Sequence, residues 1–435
     1  MRVSQTVLPF KPETTDDTLT AHAGLALMGE YLGALGFGAL VNDHLPAPRS
    51  HKGYAPGMYV ESLVLMLHGG GRTLEDLRML RSDTGLLRLL QMPCVPSSDA
   101  VGDWLRRVGS ESMDGLQRVN RTVLRRLLRR EECKDYTLDI DATEIVAEKY
   151  AAQFTYKGNQ GYMPMVGHLA ENGLVVGQEF RAGNVAPAAR NLEFMQACAA
   201  HMPKGKRIAA VRADSAAYQA DIFNWCEEVD IRFAIGASQD VAVKAAIRAI
   251  APSAWRKFND EEIAETVHGM NAGKAAFRLI VIRRPQQGDL LKETEPYFYH
   301  AIASNHPESM DAASVLRWYR QRGDKSENRI KELKNGFHMD TMPCGTFTAN
   351  AAFFAIGVLA YDLYIGFRAA APGNGFARAQ VQTVRWQLYQ IAGKNVSHGR
   401  ELVLKISHAA HAMFDVIRSH CATLLHEARW EPETT

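Results

Sequence analysis

Residues 136–143, Tyr-Thr-Leu-Asp-Ile-Asp-Ala-Thr, constrain the fold of this chain more than any other stretch, because a long run of helical pattern ends there and strict alternation begins. Alternation is the period of a strand, so Leu138, Ile140 and Ala142 share one face while Asp139, Asp141 and Thr143 share the other. Two carboxylates side by side on one strand face repel each other and gain nothing structurally. A divalent cation is the usual remedy, which makes the pair a site signal.

Before this point, residues 18–130 read as almost wholly helical. An apolar helix at 58–68 follows Pro56 and stops at Gly69-Gly70-Gly71, Thr73 and Asp76 have the spacing of a helix cap, and Ser97 opens a helix carrying Val101, Trp104, Leu105 and Val108. Short helices with tight turns are the material of a helix-turn-helix reader of DNA, a pattern that ordinary bundles share. Residues 113–130 sharpen the expectation. Leu116, Val119, Val123 and Leu127 belong to an apolar face, and Arg118, Arg121, Arg125 and Arg129 form a stripe beside it. Guanidinium groups bind phosphate bidentately, and a merely solvated face would intermix more acid.

After the alternating stretch the pattern predicts a hairpin, 161–170 with 174–180, turning at Asn172 and Gly173. A helix at about 187–201, a strand at 207–212 running into Ala213-Asp214-Ser215, a helix at about 216–228 and a strand at 231–236 follow. From 237 to 305 the pattern changes again, with strands at 274–283 and 296–304. Residues 318–337 then mix core and chemistry. Ile330, Leu333 and Phe337 form a buried helical stripe, and Glu327, Lys331 and Lys334 stack along a second face. Gly323 and Asp324 are expected to break this helix from the one at 311–322 that carries Trp318, Tyr319 and Arg322. The plain account of Glu327 and Lys331 is a solvated ion pair one turn apart. The remainder reads as a buried helix at 347–367, a hairpin of 384–391 with 401–406, and a last helix ending near 428. Asn350, Asp362 and Arg368 interrupt the apolar run at 349–371, so it is read as a core helix and not as a membrane span.

A chain of 435 residues is long enough for two or three domains. Its 50 basic against 48 acidic residues give a net charge of +2, so only local clusters of charge can speak for nucleic acid. The six cysteines are scattered without zinc-ligand or disulfide-framework spacing, which fits a reducing cytoplasm. No apolar segment follows a basic start at the N-terminus, as a secretory signal would require.

In order and type, Tyr319, Arg322, Glu327 and Lys334 resemble the Tyr-Arg-Glu-Lys signature of bacterial insertion-sequence transposases of the DDE class. The six residues between Glu327 and Lys334 match that signature, while four residues separate Arg322 from Glu327 where the signature has three. The order of strands and helices from 136 to 236 is similar to that of the ribonuclease-H-like fold of these enzymes, and residues 156–162, 181–184 and 212–215 match further. The helical pattern makes residues 1–130 an all-α DNA-binding domain at the N-terminus, and the resemblance, which covers about residues 136–370, implies that in this α/β chain it precedes a ribonuclease-H-like catalytic core in two parts (131–237 and 306–370). A mostly β insertion (238–305) separates the two parts, and the C-terminal region (371–435) is a candidate for dimerisation.

The same resemblance implies Asp141, Asp214 and Glu327 as catalytic acids holding two Mg²⁺ or Mn²⁺ ions, with Asp141 favoured over Asp139 because the family motif places an aspartate shortly before a threonine. It implies DNA contacts from Tyr319, Arg322, Lys331 and Lys334, to which the stripe of Arg118, Arg121, Arg125 and Arg129 adds. Trp255 and Trp318 are candidates for stacking a displaced base, although each type more often anchors a core. The implied activity is cut-and-paste transposition of an insertion sequence. The enzyme would cleave DNA at the terminal inverted repeats and transfer the strand to target DNA, by way of a hairpin end, as a homodimer in the synaptic complex. It would work in the bacterial cytoplasm at the nucleoid, with no membrane. A metal-dependent nuclease or resolvase on the same fold would share the acids but gives no reason for the insertion or the Tyr-Arg-Lys set. A catalytically dead derivative would have lost an acid, and all three are present.

Overall fold

The computed structural model of the chain describes residues 8, 10–48, 53–286, 296–369 and 376–430, with the side chains of residues 324–326 and 428–430 excepted. The alternating stretch forms strand β1, Asp135–Ala142, whose Tyr136, Leu138 and Ile140 are buried. The predicted hairpin follows as β2 (Met165–Leu169) and β3 (Val175–Glu179), and its turn needs Gly173, whose φ of 92° is one that side-chain-bearing residues rarely adopt. Strands β4 (Arg207–Ala213) and β5 (Arg232–Gly236) come next, each preceded by a helix, α6 (Asn191–His201) and α7 (Ala220–Glu228).

Segment 238–305 opens with an unpredicted helix, α8 (Val241–Arg248), and then supplies β6 (Arg256–Phe258), β7 (Glu261–His268), β8 (Phe277–Pro285) and β9 (Tyr297–Ser304). These strands continue the existing sheet, because β9 pairs antiparallel with β5 through Ile302 to Gly236 and Ser304 to Ala234. Among the described residues the result is one nine-stranded sheet in the order β6-β7-β8-β9-β5-β4-β1-β2-β3. Strand β1 runs parallel to β4 and antiparallel to β2, and β4 runs parallel to β5. Sequence pattern missed β7 because Glu262 and Glu265 interrupt its apolar positions, and both are answered across the strand pair by Arg283 (2.7 Å) and Arg278 (2.6 Å).

The helical part consists mainly of α1 (Leu25–Ala34), α2 (Phe37–His44), α3 (Pro56–Gly69), α4 (Ser98–Glu111) and α5 (Met113–Leu128), with α10 (Phe347–Ala369) running through its middle. Among the described residues α10 is the single helix long and apolar enough to cross a membrane, and almost all of it is buried by the helices around it. One core spans α1 to α5, α10 and the final helix α11 (His408–Trp430), so the N-terminal helices pack against chain that lies beyond residue 346. At the end of α5, Leu124 and Leu128 join the core beneath β1 instead. The change near residue 130 is thus a change of secondary structure, and packing crosses it.

Two local expectations need correction. Residues 384–389 are helical, so 384–391 is not one arm of a hairpin, and the hairpin lies at Gly393–His398 with Glu401–Lys405, where the first arm also pairs with Thr18–Thr20. The reason is distant in sequence: the Arg385 guanidinium is buried against the carbonyls of Leu67 (2.6 Å), His68 (2.8 Å) and Gly336 (2.6 Å), where it satisfies the C-terminal end of α3. The expected break at Gly323 and Asp324 is also absent. Helix α9 runs unbroken over Ala312–Lys331, capped by Asp311, and passes into a π-helical turn at Glu332–Gly336.

Candidate active site

Strands β1 and β4 are adjacent and parallel, and their pairing sets Asp139 opposite Arg212. Two residues further along come Asp141 on β1 and Asp214 just past the end of β4, so the parallel register brings these two carboxylates near each other at the strand ends, where the Asp214 charge is felt at Asp141. Asp214 is exposed there and its carboxylate accepts from the Ala216 amide at 3.0 Å. Asp141 is half-buried, and burial pushes its carboxyl up to about 6, the neighbouring Asp214 charge adding to the rise while Arg322 opposes it.

The other aspartate of the strand has a different fate. Arg212 donates from Nε and Nη2 to Asp139 at 2.7 and 2.8 Å, both side chains are fully buried, and Nη1 reaches the Trp318 carbonyl of α9 at 2.6 Å. The remedy for adjacent carboxylates is therefore an arginine at Asp139, which leaves Asp141 as the strand's available acid. Trp318 covers this pair, with the Arg212 guanidinium 5.1 Å from its ring centroid and the His306 ring 4.8 Å away in an edge contact. Its ring is engaged by protein. Trp255 is likewise engaged, with the Arg283 guanidinium 4.1 Å from its centroid and Tyr297 on that guanidinium's other contact at 4.3 Å.

Helix α9 lies across the strand ends and is pinned twice, by Arg212 to Trp318 and by Arg329, which donates to the carbonyls of Leu169 (2.7 Å) and Ala170 (2.8 Å). This seats Arg322 with Nη2 3.3 Å from Asp141 Oδ1 and 3.3 Å from the Ile140 carbonyl, while its buried Nε has no partner among the described residues. Tyr319 sits one turn earlier with its hydroxyl over Gly236, where an added Cβ would stand 3.1 Å from that oxygen and 3.1 Å from the Ser215 amide. Glycine at the end of β5 is what allows this close approach. Burial raises the Tyr319 pKa, and Asp214 contributes to the rise. Lys334, in the π-helical turn, donates to the Glu144 carbonyl at 2.6 Å; burial lowers its pKa, and the charges of Glu144 and Asp141 oppose that.

Glu327 is not brought to this cluster. It is exposed and paired with Lys331 at 2.7 Å, which lowers its pKa, and Lys331 is likewise exposed. Among the described residues no group of three or more His, Cys, Asp or Glu side chains is assembled for a metal. Helix geometry explains the displacement. Glu327 lies five positions after Arg322 in an unbroken helix, a rotation of about 140° from Arg322, whereas one residue fewer would give about 40°.

On α5 the arginines lie as the stripe predicts, with Arg118, Arg125 and Arg129 exposed and Arg121 half-buried. Arg130 pairs with Glu427 at 2.9 Å, and Arg126 turns inward to the Leu35 carbonyl. Two features escaped the sequence reading. Between the insertion and α9 lies a cavity of about 330 Å³ whose walls include Arg284, Arg320, Arg322, Phe298 and His300. Its signal was the pair Arg283-Arg284 ending an apolar strand. The second is Glu144, nearly buried, which accepts from Thr155 Oγ1 and from Asn159 Nδ2 (3.3 Å) and has Lys157 at 3.9 Å.

The model of the family "Transposase DDE domain group 1" matches residues 10–428, and the chain belongs to that family. It is accordingly an enzyme, a DDE transposase. No curated protein matches the sequence. Among solved structures, a cryo-EM structure of piggyBac transposase synaptic complex with hairpin DNA is similar at 9% identity and a TM-score of 0.45, over 97% of this chain and 86% of that one.

Proposed function

We propose that this transposase performs cut-and-paste transposition of an insertion sequence of the Tyr-Arg-Glu-Lys signature group, using Asp141, Asp214 and Glu327 on a ribonuclease-H-like core made by β1 to β5. The observation that carries the reading is the register of β1 and β4, which aligns Asp141 with Asp214 beside Arg322 and Lys334. The pair fits a divalent cation, because burial and a second carboxylate push the half-buried Asp141 carboxyl up to about 6, and a hard cation relieves both effects. Two Mg²⁺ or Mn²⁺ ions bound by these acids would supply an activated attacking oxygen and charge neutralisation at the leaving oxygen.

The chain's own residues then have separable tasks. Arg322, with a buried and unpartnered Nε, is suited to hold the phosphate beside the scissile bond. Lys334 and Tyr319 border the same point, and the cavity lined by Arg284 and Arg320 extends the basic surface toward the insertion. Glu327 joins the aspartates if α9 takes up one extra residue between Arg322 and Glu327. A single π-type turn does this and rotates Glu327 back by about 100°. Gly323 is suited to that turn, since open space surrounds it and glycine has little preference for a regular helix. DNA at the terminal inverted repeats and at the target is the substrate in this reading, a homodimer forms the synaptic complex, and a hairpin end is the intermediate.

The test is incubation of purified protein and Mg²⁺ with a plasmid carrying the element's ends and a second target plasmid. Cleavage and strand joining are expected from the wild type, and neither from Asp141→Asn, Asp214→Asn or Glu327→Gln, with end binding retained. Cleavage without joining would favour the nuclease or resolvase alternative. Activity in all three variants would remove these acids from the mechanism.

A further inference from the structure

Next to Asp141 the chain builds a small three-stranded sheet, with Gln160–Tyr162 between Ile145–Val146 and Gln153–Phe154. Its inner side is anchored: Ile145 and Tyr162 are fully buried, and Asn350 Nδ2 donates to the Tyr162 hydroxyl at 3.1 Å. Phe154 of the edge strand is 69% exposed, and Tyr150 and Tyr156 in the turns on either side of that strand are exposed to 101% and 67%. Three large rings exposed within one short stretch of chain mark an interaction site. They also ride on pinned backbone. Gln160 Nε2 donates to the carbonyls of Lys149 (3.1 Å) and Ala152 (3.2 Å), the Thr155 amide donates to the Asn159 carbonyl (2.8 Å), and Glu144 receives the Thr155 hydroxyl.

The charges beside the rings narrow the choice of partner. Lys149 and Lys157 adjoin Tyr150 and Tyr156 directly, against the single exposed carboxylate of Glu148. Lys157 lies 5.6 Å from the Tyr156 ring centroid and 3.9 Å from Glu144, and its charge is felt at Asp141. The surface is thus continuous with the aspartate pair through Glu144 and Lys157. Aromatic faces interleaved with ammonium groups suit a nucleic-acid strand whose bases are unpaired, because a paired base inside a duplex offers no free face to stack on.

We propose that Tyr150, Phe154 and Tyr156 form a stacking platform for unpaired bases of the DNA strand that enters or leaves the Asp141–Asp214 site. This assignment rests on the reading of DNA as the substrate. It concerns a different part of the chain from the insertion, where Trp255 is covered by Arg283.

Full-length protein in EDTA, titrated against a fluorescein-labelled oligothymidylate of about 20 nucleotides and against a blunt duplex of equal length, tests the platform by anisotropy. The triple variant Tyr150→Ala/Phe154→Ala/Tyr156→Ala is expected to lose roughly ten-fold or more in affinity for the oligothymidylate and less than about two-fold for the duplex. Tyr150→Phe/Tyr156→Phe is expected to retain wild-type binding, since it keeps the rings. Should the triple variant unfold, the single change Tyr150→Ala, at a ring with no burial to lose, carries the same prediction at smaller size. Equal losses on both DNAs, or no loss on either, overturn the platform. Equal losses accompanied by a fall from dimer to monomer in light scattering would assign the surface to a contact between copies. Wild-type protein that binds neither DNA overturns the substrate reading along with the platform, while wild type that binds both yet cleaves nothing with Mg²⁺ counts against the proposed reaction alone.

Discussion

Asp139 and Arg212 face each other across two parallel strands and close a bidentate ion pair, with Nε to Oδ1 at 2.7 Å, Nη2 to Oδ2 at 2.8 Å and neither side chain exposed. The third arm of the guanidinium holds the Trp318 carbonyl, so one buried pair joins β1, β4 and α9. It stands two residues before Asp141 on β1 and before Asp214, which follows the end of β4. Strand pairing and helix docking at the site are therefore tied together by one fully buried ion pair.

Removing one partner of such a pair strands a buried charge. Asp139→Asn is expected to cost about 3–5 kcal/mol in urea unfolding. Asp141→Asn, at a half-buried position, is expected to change stability by less than about 1 kcal/mol and to abolish cleavage. A stable, inactive Asp139→Asn paired with an active Asp141→Asn would exchange the two roles.

Gly323 offers a separate test of how Glu327 reaches the aspartates. Alanine is about 1 kcal/mol better than glycine inside a helix, and a Cβ there meets nothing within 4 Å. Gly323→Ala should therefore raise Tm while lowering cleavage, because it favours the unbroken helix that keeps Glu327 away. A higher Tm with undiminished cleavage would identify the unbroken helix as the active form.

The arginine stripe of α5 is expected to contribute phosphate contacts. Replacing Arg118, Arg121 and Arg125 together by Ala should weaken DNA binding and lower the slope of log K against log salt by about one per lost contact. An unchanged slope would return the stripe to a solvated face.

His68 makes the stability of the helical core depend on pH. Its ring is fully buried between the Tyr389 hydroxyl (3.1 Å) and the Ala360 carbonyl (3.1 Å), and burial, with the Arg385 charge adding, pushes its pKa down to about 3. The folded value lies below the unfolded one, so the unfolded state binds the extra proton. Stability from this group is complete above about pH 6.5 and is lost as pH falls toward about 3, at up to roughly 1.4 kcal/mol per pH unit. Unfolding curves at pH 7.5 and pH 5 should show that loss in the wild type and a smaller one in His68→Gln. Equal losses in both would place the titrating group elsewhere.

Much of the fold was legible because it depends on neighbours a few residues away. Alternation in 136–143 defines β1, Asn172 and Gly173 define the hairpin, and Ser97, whose hydroxyl accepts from the Ala100 amide at 3.2 Å, defines the start of α4. Asp141, Asp214, Arg322 and Lys334 could be singled out by type and order. Tertiary structure decided the rest, since each answer came from a partner far along the chain. Asp139 is neutralised by an arginine 73 residues away, Arg385 anchors the helical stretch Arg385–Tyr389 through carbonyls more than 300 residues distant, and the insertion completes the sheet through β9 and β5. The family resemblance suggested that Glu327 joins the acids, whereas an unbroken α9 turns it toward solvent. Local pattern records which face of an element is apolar, but the partner that satisfies a buried charge, and the rotation at which a helix is docked, follow from contacts that exist only after the chain has folded.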